Sequence, residues 1–409
     1  MGGTRAALHQ KTPMHPSNAV AAASHPDPYP YYRQLLAGPA LYCDADPRLW
    51  IASRADVIQE VFDNPHCLVR PIAEPVPLAI AGGDAGGVFA RLIRMNDGAA
   101  HAGPKRAIGQ ALAGMDLADV ADKTRRLAAM LEERHALADG AALTRWLFEL
   151  PTCVVADLLG VGRAELPLVA RRVAEFVRCL SPLSTPQQLA EADAAARSLN
   201  RRFSELVRSG TAVPGTLLGE VCRQGAKTGW GGQEAIVANV IGLLSQTHEA
   251  TAGLIGNCIV ALLGQPGLEQ RLRAEPALAA ALVREVARFD PPVQNTRRFV
   301  AQATSVAGVA LQPGDAVLLL LAAAGRDGRV HAQPDAFVLE RSDCPPPGFG
   351  HGRHACPGRS LAFVIATAAI RYLLQRPVSL GQAELGWGYR PSANARLPEF
   401  FNAGLEGRS

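Results

Sequence analysis

One loop near the C-terminal end constrains the fold of this chain more than any other segment. It reads PPPGFGHGRHACPGR over residues 345–359 and leads directly into an apolar helical pattern over residues 360–374. Pro357 is suited to the first turn of that helix, which places Cys356 at the helix N-terminus. Unpaired backbone N–H groups and the helix dipole stabilise an anion there, so the spacing favours a thiolate. The glycines of the loop let its backbone pass close to a flat ligand.

Apolar residues recur at three-to-four spacing through most of the chain, which predicts a mainly α fold. The segments with this spacing are 52–63, 104–113, 117–136, 143–159, 164–180, 187–208, 232–264, 267–273, 276–288 and 357–375. Short strand-like pieces bounded by Gly, Pro or Asp predict small β-sheets. They are residues 40–43, 49–52, 298–300 and 316–321. The segment 71–99 has no clear period, and a loop of that length inside a domain is usually functional.

The composition is that of an ordinary globular protein. Of the 409 residues, 48% are hydrophobic and 19% are charged, which excludes the disordered and coiled-coil classes. Eight cysteines without a CxxC pair indicate reduced thiols and not disulfides. No repeat or long linker divides the chain. We therefore predict a flexible polar segment over residues 1–27 and a single domain over residues 28–409.

Charge and hydropathy exclude several kinds of partner. The 41 basic and 37 acidic residues leave a net charge of +4, which is too little for a nucleic-acid-binding surface, although a basic patch for an acidic protein partner remains open. The longest apolar runs are about half of the roughly 20 residues that a membrane span needs. The N-terminus lacks the apolar region of a signal peptide and a myristoylation motif. We expect a cytoplasmic protein.

The cysteine loop resembles the haem-binding signature of the cytochrome P450 family at every fixed position. The matching residues are Phe349, Gly350, Gly352, His354, Cys356 and Gly358. The resemblance implies that Cys356 is the proximal thiolate ligand of the iron of haem b, and that His354 donates to a haem propionate. A thiolate ligand increases the electron density on iron, which suits the activation of O2. The fold that it implies is the mainly α cytochrome P450-like fold.

Two further landmarks of that family follow in order along the chain. The sequence EVAR over residues 285–288 resembles its ExxR motif, and Arg341 lies in the later segment whose arginine completes the cluster. Glu285 and Arg288 share one helix face at this spacing. Such a pair alone is usually an exposed bridge. The resemblance implies that the three side chains form a buried structural cluster.

Other residues resemble the family's contacts to the haem propionates. His101 and Lys105 lie in the segment 96–106, which looks like the start of the helix that approaches the haem, and Arg298 matches a further arginine. Cationic side chains suit a doubly anionic haem. For Lys105 an exposed basic turn is the alternative. The landmarks together cover roughly residues 27–400, with the N-terminal part matched loosely.

The helix 232–264 departs from the family at its centre. The family pattern there is A-G-x-[D/E]-T, and this chain retains the acid as Glu249 but has Ala250 in place of the alcohol. The next residue, Thr251, is turned by about 100° around the helix. We predict catalytic roles in proton delivery for Glu249 and Thr251. Four explanations of Ala250 stay open: a polar group from Thr247 or Gln246, ordered water from Glu249, a polar group of the substrate, or chemistry that needs no such alcohol.

The substrate-binding residues are predicted from the same helix. They are Leu243, Gln246 and Thr247. The alternative for Thr247 and Thr251 is a hydrogen bond from each hydroxyl to a carbonyl one turn earlier. We expect His248 to pack outside the site.

The resemblance implies a monooxygenase that uses O2 and receives electrons from a ferredoxin and its reductase. We expect a monomer that acts on a small organic molecule in secondary metabolism. Oxidative coupling, desaturation or peroxide-driven oxidation is the alternative within the family. A haem-binding protein without catalysis is another, and a structural zinc site on His351, His354, Cys344 and Cys356 is a third. The third alternative leaves the Glu285 and Arg288 pair unexplained.

Overall fold

The computed structural model describes residues 15–43, 48–208, 215–341, 346–377 and 379–403. Helices dominate this part of the chain, and the strands form small sheets, which confirms the predicted fold class. The helices are α1 Tyr29–Ala37, α2 Ala55–Asp63, α3 Asp84–Arg91, α4 Ala99–Ala113, α5 Leu117–Glu132, α6 Gly140–Leu158, α7 Leu166–Phe176, α8 Pro186–Arg208, α9 Leu217–Thr228, α10 Gln233–Gly264, α11 Leu268–Ala274, α12 Ala279–Phe289, α13 Leu321–Ala324 and α14 Arg359–Gln375.

The strands form one five-stranded sheet and two two-stranded sheets. They are β1 Leu41–Cys43, β2 Leu49–Ala52, β3 Cys67–Leu68, β4 Thr296–Val300, β5 Thr304–Val306, β6 Val309–Leu311, β7 Ala316–Leu319, β8 Leu385–Tyr389 and β9 Pro398–Asn402. The large sheet has the order β1-β2-β7-β4-β3, with β2 and β7 parallel and Ile51 opposite Leu318. β5 pairs with β6, and β8 pairs with β9, both antiparallel.

The long helix α10 crosses the centre of the molecule. It packs against α6, α14, α8 and α12, and most of its residues are buried. A helix that is apolar around its whole circumference is expected in such a position. Two of its glycines allow close packing: a Cβ at Gly253 would lie 2.8 Å from Pro292 Cβ, and one at Gly256 would lie 2.9 Å from Pro398 Cγ. Larger residues there would displace the neighbouring chain segments.

The long predicted helices are present, with ends shifted by a few residues, whereas several short elements are not predicted from the sequence. Helices α1, α9 and α13 and strands β3, β5, β6, β8 and β9 belong to this group. The segment 71–99 contains α3 and two short 3-10 turns, Leu78–Ile80 and Ile93–Met95. Short elements carry too few residues for a clear period, so tertiary contacts decide them.

The predicted flexible start falls partly outside the described residues, since residues 1–14 are not among them. Residues 21–24 form a 3-10 turn in which Ala22 and Ala23 are buried. Arg396 donates to the carbonyls of His25 and Pro26, which ties this segment to the strand region near the C-terminus. Packing of the chain therefore begins before residue 27.

Two findings concern membrane spans and cysteines. No single helix of the described residues is long and apolar enough to cross a bilayer, and the one pair that passes by length and composition, α10 with α11, is bent by 109°. None of the seven described cysteines forms a disulfide bond with another described residue: four are buried, Cys222 is half-buried, and Cys43 and Cys356 are exposed.

Candidate active site

The loop before α14 holds Cys356 in a fixed position. Two glycines of the loop have positive φ angles, 69° at Gly350 and 59° at Gly352, a region that side chains disfavour. The backbone N–H of Cys356 donates to the carbonyl of Phe349 at 2.8 Å and closes the loop. The Phe349 ring packs on that of Phe363, with 5.0 Å between centroids. Glycine is therefore required where the predicted signature has it.

The surroundings of the Cys356 sulfur combine burial with nearby positive charge. The residue is exposed, yet burial raises the pKa of its thiol, while the Gly358 N–H, Lys105 and Arg359 lower it. The position before the helix alone predicts a favoured thiolate, so burial outweighs the helix start here. Lys105 donates to the carbonyl of Ala355, next to Cys356. A metal ion at the sulfur would supply the positive charge that a thiolate needs.

The two predicted histidines lie together beside this loop. The rings of His101 and His354 have their centroids 4.1 Å apart, and His354 Nε2 lies 2.9 Å from Asp97 Oδ1. Burial and the neighbouring His354 lower the pKa of His101 to about 4. Burial raises the pKa of Asp97. Its hydrogen bonds to His354 and to the Val69 N–H lower the pKa by more, so the net shift is downward.

Arg298 lies in the same neighbourhood and is buried without a carboxylate partner. Its Nη1 donates to the carbonyl of Arg297 at 2.8 Å, and its guanidinium lies over the ring of Phe62. Its buried Nε has no hydrogen-bond partner. Burial lowers the pKa of Arg298 to about 10, whereas Asp97 raises it. Within the described residues, no carboxylate lies within ion-pair distance of Arg298.

These residues fit the haem that the resemblance implies. Arg298 and Lys105 are cations without a carboxylate partner among the described residues, and they lie near two histidines and an accessible cysteine sulfur. An anionic group that also offers a metal ion matches this set of donors. Asp97 and Arg353 are not among the residues predicted from the sequence, although both lie inside the quoted segments 96–106 and 345–359. Arg353 donates to the carbonyls of Asn64 and Cys67.

Glu285, Arg288 and Arg341 form a closed, buried cluster. Arg288 makes two hydrogen bonds to Glu285, of 3.0 and 2.6 Å, and Arg341 Nε lies 3.3 Å from Glu285 Oε2. The side chains of Glu285 and Arg288 are 2% and 3% exposed. The remaining N–H groups of Arg288 donate to the carbonyls of Gly325, Pro334 and Ala336. The structure thus brings the three predicted residues together with their hydrogen-bonding groups largely satisfied.

One stripe of α10 is accessible although the helix lies in the core. It consists of Leu243, Gln246, Thr247 and Ala250, which recur at helical spacing and include the three predicted substrate-binding residues. The hydroxyl of Thr247 donates to the carbonyl of Leu243 at 2.8 Å, and Gln246 Nε2 donates to that of Gly242 at 2.8 Å. Thr247 therefore makes the hydrogen bond of the alternative interpretation. The stripe borders an internal space.

Glu249 and Thr251 lie in different surroundings. Glu249 is partly accessible next to this stripe; burial raises the pKa of its carboxyl, and Arg390 and Arg94 lower it less. Thr251 is only 3% exposed, so the structure does not place it on the stripe. His248 is buried with Nδ1 3.1 Å from the hydroxyl of Thr152, in line with the expected packing role. The catalytic role of Thr251 stays a prediction.

The zinc alternative depends partly on Cys344, which lies outside the described residues. Among the residues that the structure does describe, no group of three or more His, Cys, Asp or Glu side chains is arranged to hold a metal ion. The alternative gains no support from the other three residues.

Comparisons with known proteins agree with this geometry. The family model described as Cytochrome P450 matches residues 231–376. The chain is 32% identical to the biotin biosynthesis cytochrome P450 of Bacillus subtilis, over 63% of this chain and 65% of that protein. It is 27% identical to cytochrome P450 144 of Mycobacterium tuberculosis, over 92% and 89%. The chain spans less than two thirds of the length of two of its relatives: 65% of the biotin biosynthesis protein and 61% of cytochrome P450 107B1 of Saccharopolyspora erythraea.

Solved structures give the same fold over nearly the whole chain. The crystal structure of P450BioI in complex with hexadec-9Z-enoic acid ligated acyl carrier protein has a TM-score of 0.78 at 25% identity, over 91% of this chain and 97% of that one. The crystal structure of CalO2 also has a TM-score of 0.78, at 26% identity, over 92% and 96%.

Proposed function

We propose that this chain is a cytochrome P450 monooxygenase that inserts one oxygen atom of O2 into a small organic substrate. The other oxygen atom leaves as water, with two electrons and two protons supplied. The proposal depends on one combination of features. The Cys356 sulfur is accessible, Arg298 and Lys105 lie near it without a carboxylate partner among the described residues, and α10 presents an accessible stripe.

The residues that would hold haem b come from four parts of the chain. Cys356 supplies the sulfur ligand, and His101, Lys105, Arg298 and His354 supply donors for the propionates. Phe349 and the glycines at 350, 352 and 358 shape the loop under the ring. When bound, the haem supplies the redox chemistry that activates O2.

Glu249 holds the proton that the reaction needs near the accessible stripe. The raised pKa of its carboxyl keeps a larger share of it protonated at neutral pH than an exposed glutamate has. Thr247 already donates its hydroxyl hydrogen to Leu243, so its oxygen is available as an acceptor only. We propose that Glu249 passes its proton on through ordered water. Thr251 is the second candidate for a role in proton delivery. Ala250 leaves room beside the stripe for that water or for a substrate group.

A ferredoxin would dock beside the cysteine loop. Arg106 and Arg359 are both exposed there: Arg106 follows Lys105, which contacts the loop, and Arg359 is close enough to affect the Cys356 thiol. Ferredoxins are acidic, so this pair of cations suits such a partner. A charge reversal at Arg106 should slow electron transfer more at low salt than at high salt.

The names of the relatives support a biosynthetic role. One is a biotin biosynthesis cytochrome P450, another is a vitamin D(3) 25-hydroxylase, and one structural neighbour carries an acyl group on a carrier protein. We propose a cytoplasmic enzyme that modifies a secondary metabolite.

Spectra and turnover test this function together. Purified protein should bind haem, and its reduced carbon monoxide adduct should absorb where thiolate-ligated haem does, whereas Cys356→Ala should lose that band. With a ferredoxin and its reductase, wild-type protein should form an oxygenated product that contains oxygen from labelled O2. A normal thiolate spectrum in Cys356→Ala would refute the ligand assignment. Turnover with hydrogen peroxide alone would favour the peroxide-driven alternative that Ala250 leaves open.

A further inference from the structure

Arg94 lies on a turn that is fixed against the central helix. The turn Ile93–Met95 connects α3 with α4, and its Ile93 N–H donates to Asn239 Oδ1 of α10 at 2.9 Å. Asn239 Nδ2 in turn donates to the carbonyl of Arg91 at 2.8 Å, and Asn239 is 4% exposed. These two hydrogen bonds hold the start of the turn, directly before Arg94, against α10.

The guanidinium of Arg94 has no partner. Its Nε is shielded from solvent and makes no hydrogen bond, and none of the hydrogen bonds or ion pairs found in the described residues involves Arg94. Burial lowers the pKa of Arg94. An arginine nevertheless stays protonated in a protein, so the group is a half-buried cation without an ion-pair partner among the described residues. Such a group is costly unless an anion approaches it.

Neither of the two titratable neighbours of Arg94 forms an ion pair with it. Glu249 is near enough to affect it but beyond ion-pair distance, and burial raises the pKa of the Glu249 carboxyl. Burial also raises the pKa of the Cys179 thiol to about 12, so the thiol is neutral. Cys179 lies at the end of the turn that follows α7. Arg94 is therefore enclosed by the segment before α4, the segment after α7 and the centre of α10.

Other arginines near this site are already paired. Arg390, which also affects Glu249, donates twice to Glu399 at 3.0 and 2.8 Å and lies over the Phe148 ring. Arg91, three residues before Arg94, pairs with Glu234 at 2.6 Å on the surface. Arg94 differs from both because it has no ion-pair partner among the described residues and lies near the region where we place the substrate.

We propose that Arg94 binds a carboxylate of the substrate and that the substrate is an apolar monocarboxylic acid. The inference rests on the proposed function, because it takes the accessible stripe of α10 as the wall of the substrate site. A guanidinium binds a carboxylate with two parallel hydrogen bonds, which fits an arginine without other partners. Three large apolar side chains are exposed on the same stretches of chain, Ile72 and Leu78 before the turn in sequence and Leu183 after Cys179. They suit the hydrocarbon part of such a molecule.

Calorimetric titration of the haem-loaded protein tests this inference without turnover. The probes are octanoate, decanoate and dodecanoate, each compared with its primary amide. The wild type should bind at least one acid about tenfold or more tightly than its amide, which is the size expected of a charge-assisted pair. Arg94→Gln should weaken the acid to the affinity of the amide and leave the amide unchanged. Arg94→Lys should keep part of the preference, and Arg91→Gln should keep all of it.

Several results would overturn the inference. They are equal binding of acid and amide by the wild type, binding of neither, and equal weakening of both by Arg94→Gln. The last result would make Arg94 a counter-ion for Glu249 or a packing residue. Haem content and melting temperature of each variant establish that it is folded. A failure of ferredoxin-dependent oxygenation with the carboxylate preference intact would count against the proposed function and leave this inference standing.

Discussion

Two groups of buried charges in this molecule differ in how completely they are paired. Glu285, Arg288 and Arg341 are joined by short ion pairs and backbone hydrogen bonds, whereas Arg94 and Glu249 have no ion-pair partner within the described residues. In the first group both arginines share the Glu285 carboxylate, and backbone carbonyls accept from their other N–H groups. The second group is only partly buried, and neither of its members has an ion-pair partner among the described residues. We infer that a closed cluster serves the fold and that an open one serves a ligand.

Because the two groups differ in this way, substitutions in them should affect the free energy of unfolding differently. Removing one member of a closed cluster leaves an uncompensated charge in a place that water does not reach. Replacing an unpaired buried charge by a neutral side chain of similar shape removes a charge that already lacks compensation. Substitutions in the two groups should therefore differ in sign or at least strongly in size.

The largest effect is expected for Glu285→Ala. It leaves Arg288 and Arg341 without their carboxylate, a change that typically costs about 3–5 kcal/mol, out of a total stability of about 5–15 kcal/mol. We expect aggregated or haem-free protein, measured as soluble yield and haem absorbance per protein. Glu234→Ala, which removes an exposed partner of Arg91, is the matched control. Soluble, haem-loaded and fully stable Glu285→Ala would contradict the closed-cluster interpretation.

His248 is buried and hydrogen-bonded in its neutral form. We therefore expect the stability of the protein to depend on pH through this residue. Burial lowers its pKa to about 4 from an ordinary 6.5. Between these values the unfolded chain binds a proton at His248 that the folded chain does not, so the free energy of unfolding falls as the pH is lowered from 6.5 to 4. The expected loss is on the order of 3 kcal/mol.

Urea unfolding of wild type and His248→Asn across this pH range measures the effect. The slope should be smaller in the variant, although not zero, because the pKa of His101 is lowered to about 4 as well. Identical slopes in the two proteins would show that His248 is not held in its neutral form.

The substitution Glu249→Gln tests proton delivery in the group formed by Arg94 and Glu249. We expect the yield of product per reductant consumed to fall several-fold, because the amide cannot pass on a proton. Thr251→Ala should have a smaller effect, since Thr251 is buried away from the accessible stripe. All variants, including Ala250→Thr, are compared under identical ferredoxin supply.

Two outcomes would change that interpretation. Unchanged coupling in Glu249→Gln would exclude Glu249 from the proton path. Improved coupling in Ala250→Thr would show that the missing alcohol limits the reaction and is not an adaptation to the substrate.

The smallest effect is expected for Arg94→Gln in the substrate-free protein. Because Arg94 has no partner to lose, we expect the free energy of unfolding to change by less than about 1 kcal/mol or to rise. Arg288→Gln is the matched comparison, and it should lose several times more. A large loss of stability in Arg94→Gln would show that the two groups of charges do not differ as proposed.

The sequence alone determines the features that depend on neighbouring residues. The Cys356 loop, the Glu285 and Arg288 pair and the long helices are all recognisable because their spacing follows from one turn or one helix period. The closed cluster is largely foreseeable for the same reason, since two of its members are three residues apart. The resemblance to the cytochrome P450 family and the fold class follow from these features.

Only the tertiary structure decides which charges are left open. Glu249 lies near Arg94 and Arg390, which are each more than a hundred residues away in sequence, one on either side. His354 contacts Asp97 across 257 residues. Whether such a group is paired depends on burial and on the position of remote side chains, and no local pattern encodes either. Arg94 looks like any surface arginine in the sequence. It becomes a candidate ligand-binding residue only because the packed elements around it supply no anion.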